Sequence, residues 1–280
     1  IFDQAREAGD QILHINNLNY SLDGEVLIKD FNLNVSKGDK IAFLADNGVA
    51  VTSLFKILSG EIQPDSGSFE FGQTITHTYM PNHNEEFFDT SENLIDWLRQ
   101  YSEEKDEVYI RGFLGKMLFS GEETFKSASV LSGGEKVRCM LSKTMLSQAN
   151  LIFLDEPTNH LDLSTKEWFL QFLKKAPFGF VIVCHDRYFL DQLCTKILEV
   201  SQGNLKDYYG NYTKYLQTKA EQTAQLQQAY GKQQQMIKEK TKDSFKFSCA
   251  KCRKDSTMMM MWTCTTMTFH YLSNNFFSNT

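Results

Sequence analysis

Alternation between apolar and polar positions divides the chain into short strands. Alternating residues predict a strand over 12–20, and shorter patterns of the same kind predict strands over 33–35 and 40–44. Continuous apolar runs over 151–155 and 180–185 are typical of strands that are buried on both faces of a parallel sheet. The chain therefore contains both half-buried and fully buried strands.

Helical spacing of apolar residues separates these strands. Because strands alternate with helices, we expect an α/β fold with a β-rich beginning, a mostly parallel core sheet and a small helical lobe near 85–130. The predicted helices cover 52–59, 92–119, 135–148, 164–175 and 186–196. Within the lobe we expect a buried stripe consisting of Trp97, Leu98, Val108, Phe113, Leu114, Met117 and Leu118.

The composition changes after about Tyr215. Residues 217–243 are rich in Gln, Lys and Ala and predict a long, solvated helix. The segment 214–255 carries ten Lys or Arg residues against four Asp or Glu, so it is basic although the whole chain has a net charge of −6. Residues 256–280 contain no charged side chain and give no recognisable pattern, so we expect them to be disordered.

Bulk properties narrow the class of protein. A length of 280 residues with 41% apolar content suits one large domain with an appendage, or two small domains. The net charge of −6 argues against a generic polyanion binder. No run of 18 apolar residues predicts a membrane span, and charges interrupt the start, so we expect no signal peptide. Six scattered cysteines favour a reducing, cytoplasmic setting.

Three motifs follow one another at fixed distances. LSGGEKVR covers Leu131–Arg138, LDEPTNHLD covers Leu154–Asp162, and CHDR covers Cys184–Arg187. In this order and spacing they resemble the ABC ATPase superfamily. The resemblance implies an ABC nucleotide-binding domain, related to P-loop NTPases, that binds and hydrolyses ATP with Mg²⁺.

Each motif also has a chemical reason of its own. Ser132, Gly133 and Gly134 open a helix, whose N–H groups and dipole favour a γ-phosphate. Asp155 ends a buried strand and suits Mg²⁺ through water, and Glu156 beside it suits a general base. His185 ends the next strand, where it could contact the γ-phosphate. Taken alone, the motifs are also compatible with a glycine turn, an acidic pair that begins a helix, and a buried histidine.

The phosphate loop departs from the expected pattern. G-x-x-x-x-G-K-S/T should precede the helix 52–59, but Ala45–Thr52 reads ADNGVAVT, in which only Gly48 and Thr52 suit phosphate or Mg²⁺. Alanine at 45 and 50 disfavours the backbone angles that aim N–H groups inward. Val51 lacks the ammonium that would meet the β- and γ-phosphates. The sequence therefore predicts weak or absent nucleotide binding by this loop, although a Thr52 that opens a helix would keep some phosphate affinity.

Three further positions complete the predicted site. Asp46 would add negative charge near an anion. Tyr20 stands where an aromatic would stack on adenine, and packing within the sheet is the alternative. Asn82 is the nearest replacement for the glutamine that links the two lobes, and its side chain is one methylene shorter.

Details within and after the motifs resemble the ABC-F family. NHLD after DEPT, the stretch CHDRYFLD and Tyr209-Gly210-Asn211-Tyr212 carry this resemblance, which extends over about 10–245. Such proteins pair two cassettes on one chain without membrane domains, and characterised members largely act on ribosomes. The resemblance implies a second cassette as partner, with ATP between one phosphate loop and the other cassette's SGG helix. It also implies contact with the ribosome, rRNA or tRNA through 214–255.

The resemblance is uneven along the chain. Residues 1–160 look most like a second cassette, whereas 162–245 look like the end of a first cassette running into a linker. We therefore expect a fragment, a recombined gene or a frameshifted reading whose normal sequence stops near Lys246. The predicted division is a cassette over 1–212, a basic helical segment over 213–248 and an unassigned tail over 249–280.

Several alternatives remain at this point. Cys249, Cys252, Cys264 and His270 could ligate zinc, and incidental free cysteines are the alternative. The cassette could also be the ATP-binding subunit of a membrane transporter, or a non-catalytic regulatory cassette. The basic segment favours ABC-F over a transporter. The altered loop favours a regulatory role, whereas Asp155, Glu156 and His185 oppose it.

Overall fold

A computed structural model describes the backbone of residues 6–45, 48–201 and 204–254. Within the last range, side chains are described for residues 205–241. A boundary between two compact units falls between Thr218 and Lys219. The first unit holds every strand found among the described residues.

A three-stranded antiparallel sheet contains the β-rich beginning of the chain. It consists of β1 (Gln11–Leu22), β2 (Glu25–Ser36) and β4 (Ser66–Phe71), in the order β2-β1-β4. Leu22 pairs with Glu25, so β1 and β2 are joined by the two residues Asp23 and Gly24. Both have positive φ, 51° and 86°, as a two-residue hairpin of type I′ requires.

The second sheet has six strands and is parallel except at one edge. Its order is β5-β6-β7-β3-β8-β9, and β9 runs antiparallel to β8. The strands are β3 (Lys40–Ala45), β5 (His77–Met80), β6 (Leu151–Asp155), β7 (Gly179–Val183), β8 (Lys196–Ser201) and β9 (Asn204–Tyr209). This arrangement confirms the predicted α/β class, with β5, β8 and β9 as strands that the sequence analysis did not foresee.

Seven α-helices and three 3₁₀ turns accompany the strands in the described part of the chain. Those between 85 and 130 form the expected lobe. The α-helices are α1 (Gly48–Leu58), α2 (Leu94–Arg99), α3 (Glu107–Lys116), α4 (Gly133–Leu146), α5 (Leu163–Lys175), α6 (Arg187–Leu193) and α7 (Tyr212–Lys254). The 3₁₀ turns are Glu85–Phe88, Gly121–Phe125 and Ala128–Val130.

All of the predicted helices have different bounds. The range 92–119 contains two separate helices, α2 and α3, while α4 begins and ends two residues before the expected 135–148 and α5 begins one residue early. The helix expected over 52–59 begins at Gly48 and ends at Leu58. The helix expected over 186–196 ends at Leu193, because the chain enters β8 at Lys196. Residue 196, which helical spacing had assigned to a helix, therefore belongs to β8, which pairs with the edge strand β9.

Two apolar cores stabilise the first unit. One lies between the antiparallel sheet, α1 and one face of the parallel sheet, and it includes Phe43, Phe55 and Phe153. The other joins the lobe, α4, α5 and α6 to the opposite face. In the expected stripe of the lobe, Trp97, Leu98, Leu114 and Met117 are buried and Phe113 packs against them, but Val108 and Leu118 are exposed. Leu118 has a φ of 64°, since the chain turns there after α3.

The first turn of α7 is attached to β8 and β9. The hydroxyls of Tyr208 and Tyr215 both donate to Glu199, at 3.2 Å and 3.1 Å. Asn211 accepts the backbone N–H of Lys214 at 3.1 Å. Beyond this anchor most residues of α7 up to 241 are exposed, which agrees with the long solvated helix expected over 217–243.

Candidate nucleotide site

The carboxyl end of β6 brings Asp155 next to Thr52 of α1. Thr52 Oγ1 donates to Asp155 Oδ2 at 2.8 Å, and the hydroxyl of Tyr79 donates to the same oxygen at 3.2 Å. Asp155 is buried. Burial raises its pKa above the ordinary value, while the bonds from Thr52 and Tyr79 act in the opposite direction. Burial also raises the pKa of Tyr79, whose hydroxyl therefore stays a donor.

Glu156 and His185 form the second pair of the site. His185 Nε2 lies 3.1 Å from Glu156 Oε1, and the backbone N–H of Glu156 donates to Val183 O at 2.9 Å. These contacts join the end of β6 to the end of β7. The His185 side chain is 88% exposed, whereas that of Glu156 is only 8% exposed. His185 is thus not the buried histidine that was the alternative.

Glu156 combines an unusual backbone with an unsatisfied carboxylate. Its φ is 50°, a conformation that non-glycine residues rarely adopt. Glu156 Oε2 is buried and has no hydrogen-bond partner within the described part of the chain. Burial raises the pKa of Glu156 and outweighs the opposing effect of His185. The free oxygen can accept a proton, which is the property that a general base needs.

Helix α1 occupies positions 48–52 of the phosphate loop. Gly48, the first residue of α1, is exposed, whereas Ala50 and Val51 are buried in the core. Val51 lines a void of only about 10 Å³ together with Ile28 and Phe31 of β2. The expectation that Thr52 opens the helix was wrong, since it is the fifth residue of α1. Asp46, the other charged position discussed for this loop, lies outside the described residues.

The residues suit the Mg²⁺ part of an ATP–Mg²⁺ site better than they suit its triphosphate part. The Thr52 hydroxyl and the Asp155 carboxylate lie together and form the hard oxygen pair that Mg²⁺ prefers. Position 51 is a valine, so no lysine is present there to contact the β- and γ-phosphates. Ala50 and Val51 instead pack the first turn of α1 against β2. The described residues of this loop, 45 and 48–52, therefore do not include the lysine that would hold a triphosphate.

The SGG motif begins α4, as expected. Ser132 is the N-cap residue, and Gly133 and Gly134 are the first two helical residues. Ser132 N–H and Oγ–H both donate to Glu135 Oε2, at 2.9 Å and 2.8 Å, in a capping box. Lys126 Nζ lies 3.1 Å from Glu135 Oε1.

A cavity of about 320 Å³ opens at this helix terminus. Its lining joins the start of α4 to the segment that leads from Glu156 into α5. A Cβ atom on Gly133 would lie 3.1 Å from His160 Cβ, and one on Gly134 would lie 2.9 Å from His160 O. His160 itself has a φ of 63°. The glycines are needed because this segment packs directly on them. The lining residues are Ser132, Gly133, Gly134, Glu135, Arg138, His160, Leu161, Asp162 and Thr165.

The remaining predicted positions lie at the edges of this arrangement. Asn82 is exposed, and its Oδ1 accepts from Asn159 Nδ2 at 3.4 Å, in the segment after Glu156. Tyr20 is half-buried in β1, paired with Ile28, and packs against the core that contains α1. Its role as an adenine platform stays a prediction. The cysteine and histidine side chains of the zinc hypothesis lie outside the described residues.

Sequence reasoning missed three participants. Tyr79 precedes the lobe-linking segment in β5, a strand of only four residues that has no detectable period. Lys126 and Glu135 form an ion pair across the start of α4. The spacing Ser-x-x-Glu in SGGE was the available signal for this capping box.

The site has two halves: the loop half, with Thr52, Asp155 and Glu156, and the SGG half at the start of α4. Together with the fold, they define the nucleotide-binding domain of an ABC protein. The comparisons agree: two family models, each described as ABC transporter, match residues 28–159 and 198–249. The chain belongs to the ATP-binding cassettes of this family.

Relatives and solved structures support this assignment. The uncharacterized ABC transporter ATP-binding protein YkpA of Bacillus subtilis is 45% identical over 77% of this chain and 40% of its own length. The energy-dependent translational throttle protein EttA of Escherichia coli is 32% identical over 74% of this chain and 38% of its own length. The chain thus spans about two fifths of these relatives. The ATP-binding cassette MJ0796, in a post-hydrolysis dimer with ADP and Pi, matches with a TM-score of 0.62 at 17% identity, covering 71% of this chain and 98% of that one.

The described residues contain neither a candidate membrane span nor a cluster of metal-binding side chains. None of their helices has the length and apolar character that crossing a membrane requires. Over the same residues, His, Cys, Asp and Glu side chains form no group of three or more suited to a metal ion.

Proposed function

We propose that this chain is an ABC-F-type cassette that works with a second cassette and with the ribosome. In this proposal its SGG face completes an ATP site built on the partner's phosphate loop, whereas its own loop contributes little. The observation that carries the proposal is the contrast between the two half-sites. The SGG helix opens onto a cavity of about 320 Å³, while Val51 of the loop is buried in the core.

ATP bound at such a shared interface would supply the phosphoanhydride bond that is cleaved. On this chain, Ser132, Gly133 and Gly134 would hold the γ-phosphate at the start of α4, where helix N–H groups and dipole favour an anion. Glu156 lies in the half-site of this chain's own loop, so its unpartnered Oε2 would accept the proton of an attacking water only for a nucleotide held there, with His185 3.1 Å from its other oxygen. The Thr52 and Asp155 oxygens would contact Mg²⁺ where the loop retains a nucleotide.

A complementation experiment tests the partner role. The chain is mixed with a cassette that has a complete phosphate loop but carries an arginine in place of the serine of its own SGG motif. Alone, this chain should hydrolyse ATP slowly, and the mixture should recover hydrolysis. Gly134→Asp in this chain should abolish the recovery, whereas Gly112→Asp on α3, where nothing lies within 4 Å of an added Cβ, should preserve it. Rapid turnover by the chain alone that vanishes in Glu156→Gln would overturn the proposal.

The ribosomal part of the proposal is supported by α7 and by one relative. The E. coli relative is named as a translational throttle protein, and the family model over 198–249 covers most of α7. The described part of α7 exposes Lys214, Lys219, Lys232, Lys238 and Lys240. Cationic helices bind phosphate backbones by counterion release, so affinity should fall with salt by about 0.7–0.9 log units per phosphate contact and decade.

Truncation provides the test of ribosome binding. A stop after Thr218 keeps the Tyr208, Tyr215 and Glu199 anchor and removes the exposed basic helix. The full chain should sediment with ribosomes at low salt, and the truncated chain should sediment less. Equal sedimentation of both, or of neither, would show that α7 is not a ribosome contact. Binding to membrane vesicles instead would favour the ATP-binding subunit of a transporter.

A non-catalytic regulatory cassette is the second candidate. The direct bond from Thr52 to Asp155 favours it, because Asp155 already has two hydroxyl partners within the chain. In that case the mixed cassettes would bind ATP together without recovering hydrolysis. The presence or absence of recovered hydrolysis in the mixture therefore separates the two candidates.

A further inference from the structure

Two capping boxes in the first unit share one lysine. Ser120 N–H donates to Glu123 Oε2 at 3.1 Å at the start of the 3₁₀ turn Gly121–Phe125, and Ser132 N–H donates to Glu135 Oε2 at 2.9 Å at the start of α4. Lys126 Nζ lies 3.9 Å from Glu123 and 3.1 Å from Glu135. The two glutamates are thus chemically alike but cap different elements.

Only one of these two boxes lies at the SGG cavity. Ser132 and Glu135 both line the cavity of about 320 Å³, whereas Ser120 and Glu123 are not among its lining residues. The Glu135 side chain is 16% exposed, against 40% for Glu123. Burial raises the pKa of Glu135, but the bonds from Ser132 and the Lys126 ammonium outweigh this effect and keep the pKa below its ordinary value. Glu135 is therefore an anion at neutral pH.

The position of this anion conflicts with that of a phosphate. Both donors of Ser132, its N–H and its hydroxyl, point to Glu135 Oε2. A phosphate held by the start of α4 would use the same donors and the same positive end of the helix dipole. Two anions at one helix terminus repel each other, and a hydroxyl has a single proton to donate.

We propose that Glu135 is an internal competitor that sets how tightly the SGG face takes a phosphate, and that Lys126 tunes this competition. The proposal rests on the function proposed above, in which that face receives the partner's γ-phosphate. Lys126 contacts the other oxygen of the Glu135 carboxylate, Oε1, at 3.1 Å and offsets its negative charge. The affinity for phosphate therefore rises when Glu135 loses its charge and falls when Lys126 loses its charge. Glu135 and Lys126 are in this sense positioning residues for Ser132.

The consequence is that the start of α4 is already occupied before a phosphate binds. Without a nucleotide, Glu135 satisfies the start of α4 and keeps this end of the helix capped. A phosphate has to displace this carboxylate from the two Ser132 donors.

Phosphate titration of the isolated chain tests the competition directly. Sodium phosphate is added at constant ionic strength, and the amide signals of Gly133 and Gly134 are followed by NMR in glycine-labelled protein. Glu135→Gln keeps a side-chain oxygen for the cap and should tighten phosphate binding about two- to fivefold, the effect of one charge at a helix terminus. Lys126→Met should weaken it by a similar factor of about two to five.

The matched control is Glu123→Gln. It removes the same charge near Lys126 but leaves the donors of Ser132 untouched, so the phosphate affinity should stay within the error of the titration. Thermal unfolding of each variant shows whether α4 remains capped. Equal affinity of Glu135→Gln and the unaltered chain would overturn the competition, whereas no phosphate response at Gly133 and Gly134 in any variant would instead overturn the phosphate role of the SGG face.

Discussion

Thr52 donates its hydroxyl proton directly to Asp155 Oδ2 across a distance of 2.8 Å. This bond joins the fifth residue of α1 to the last residue of β6. Because Tyr79 donates to the same oxygen from β5, three elements meet at one buried carboxylate. The contact makes Asp155 a part of the core structure as well as a candidate for Mg²⁺.

Removing the hydroxyl should therefore reduce stability. In Thr52→Val a buried carboxylate loses one of its donors, and hydrogen bonds to charged groups contribute about 1.5–3 kcal/mol. We expect the free energy of unfolding in urea to fall by about 1.5–3 kcal/mol at neutral pH. Thr52→Ser keeps the hydroxyl and should lose much less. Similar losses in both variants would mean that the methyl group, not the bond to Asp155, matters.

Restoring the lysine should not restore the phosphate loop. Val51 is 1% exposed in the core, so Val51→Lys would bury an ammonium among apolar side chains. We expect a loss of about 2–4 kcal/mol in unfolding free energy and no gain in ATP binding measured by calorimetry. The control is Val49→Lys in the same turn, where the side chain is 50% exposed, and it should be nearly neutral. ATP binding by the Val51→Lys protein would show that α1 can rearrange.

Neutralising Glu156 should stabilise the fold in a pH-dependent manner. The folded-state pKa of Glu156 is raised by burial, so ionisation costs stability as the pH rises through that pKa. Glu156→Gln avoids this cost and should raise Tm at pH 7.5 by at least about 2 °C, the shift that corresponds to ~1 kcal/mol in a domain of this size.

The direction of the pH effect is the critical part of that experiment. Below about pH 4.3, the ordinary value for a glutamate, both folded and unfolded chains carry a protonated Glu156, so the gain should disappear. Scanning Tm of both proteins from pH 7.5 down to pH 4 measures this. A gain that grows as the pH falls would mean that the contact with His185 outweighs burial.

The two SGG glycines should differ from an ordinary helical glycine. In Gly134→Ala the new Cβ would lie 2.9 Å from the backbone oxygen of His160, which cannot move without disturbing the segment before α5. We expect a loss of about 1–3 kcal/mol, the usual range for overpacking. Gly112→Ala in α3 meets nothing within 4 Å and should gain about 0.5–1 kcal/mol. Equal effects in urea denaturation would contradict the close packing on His160.

The sequence alone located most of the candidate site residues at the carboxyl edge of the parallel sheet. Asp155, Glu156 and His185 follow strands with clear apolar runs, and the carboxyl ends of neighbouring parallel strands meet at one edge. The early start of α1 could not be foreseen, because it depends on Val51 packing against β2, a contact made through tertiary structure. Tyr79 was equally hidden, since four residues are too few to show a period. The local sequence pattern therefore identified the strands and the residues at their ends, but not the side chains that contact them from other elements.

The place of β3 in its sheet has a consequence for how the chain folds. Lys40 of β3 pairs with Phe180 of β7, and Ile41 pairs with Lys196 of β8, so both neighbours of this strand are made late. Antiparallel pairing of β1 with β2 is local by comparison and can form early. During synthesis on the ribosome, both edges of the apolar strand β3 thus stay unpaired until nearly the whole first unit has been made. Such unpaired edges invite aggregation, so this cassette should depend on slow, late closure and benefit from chaperones.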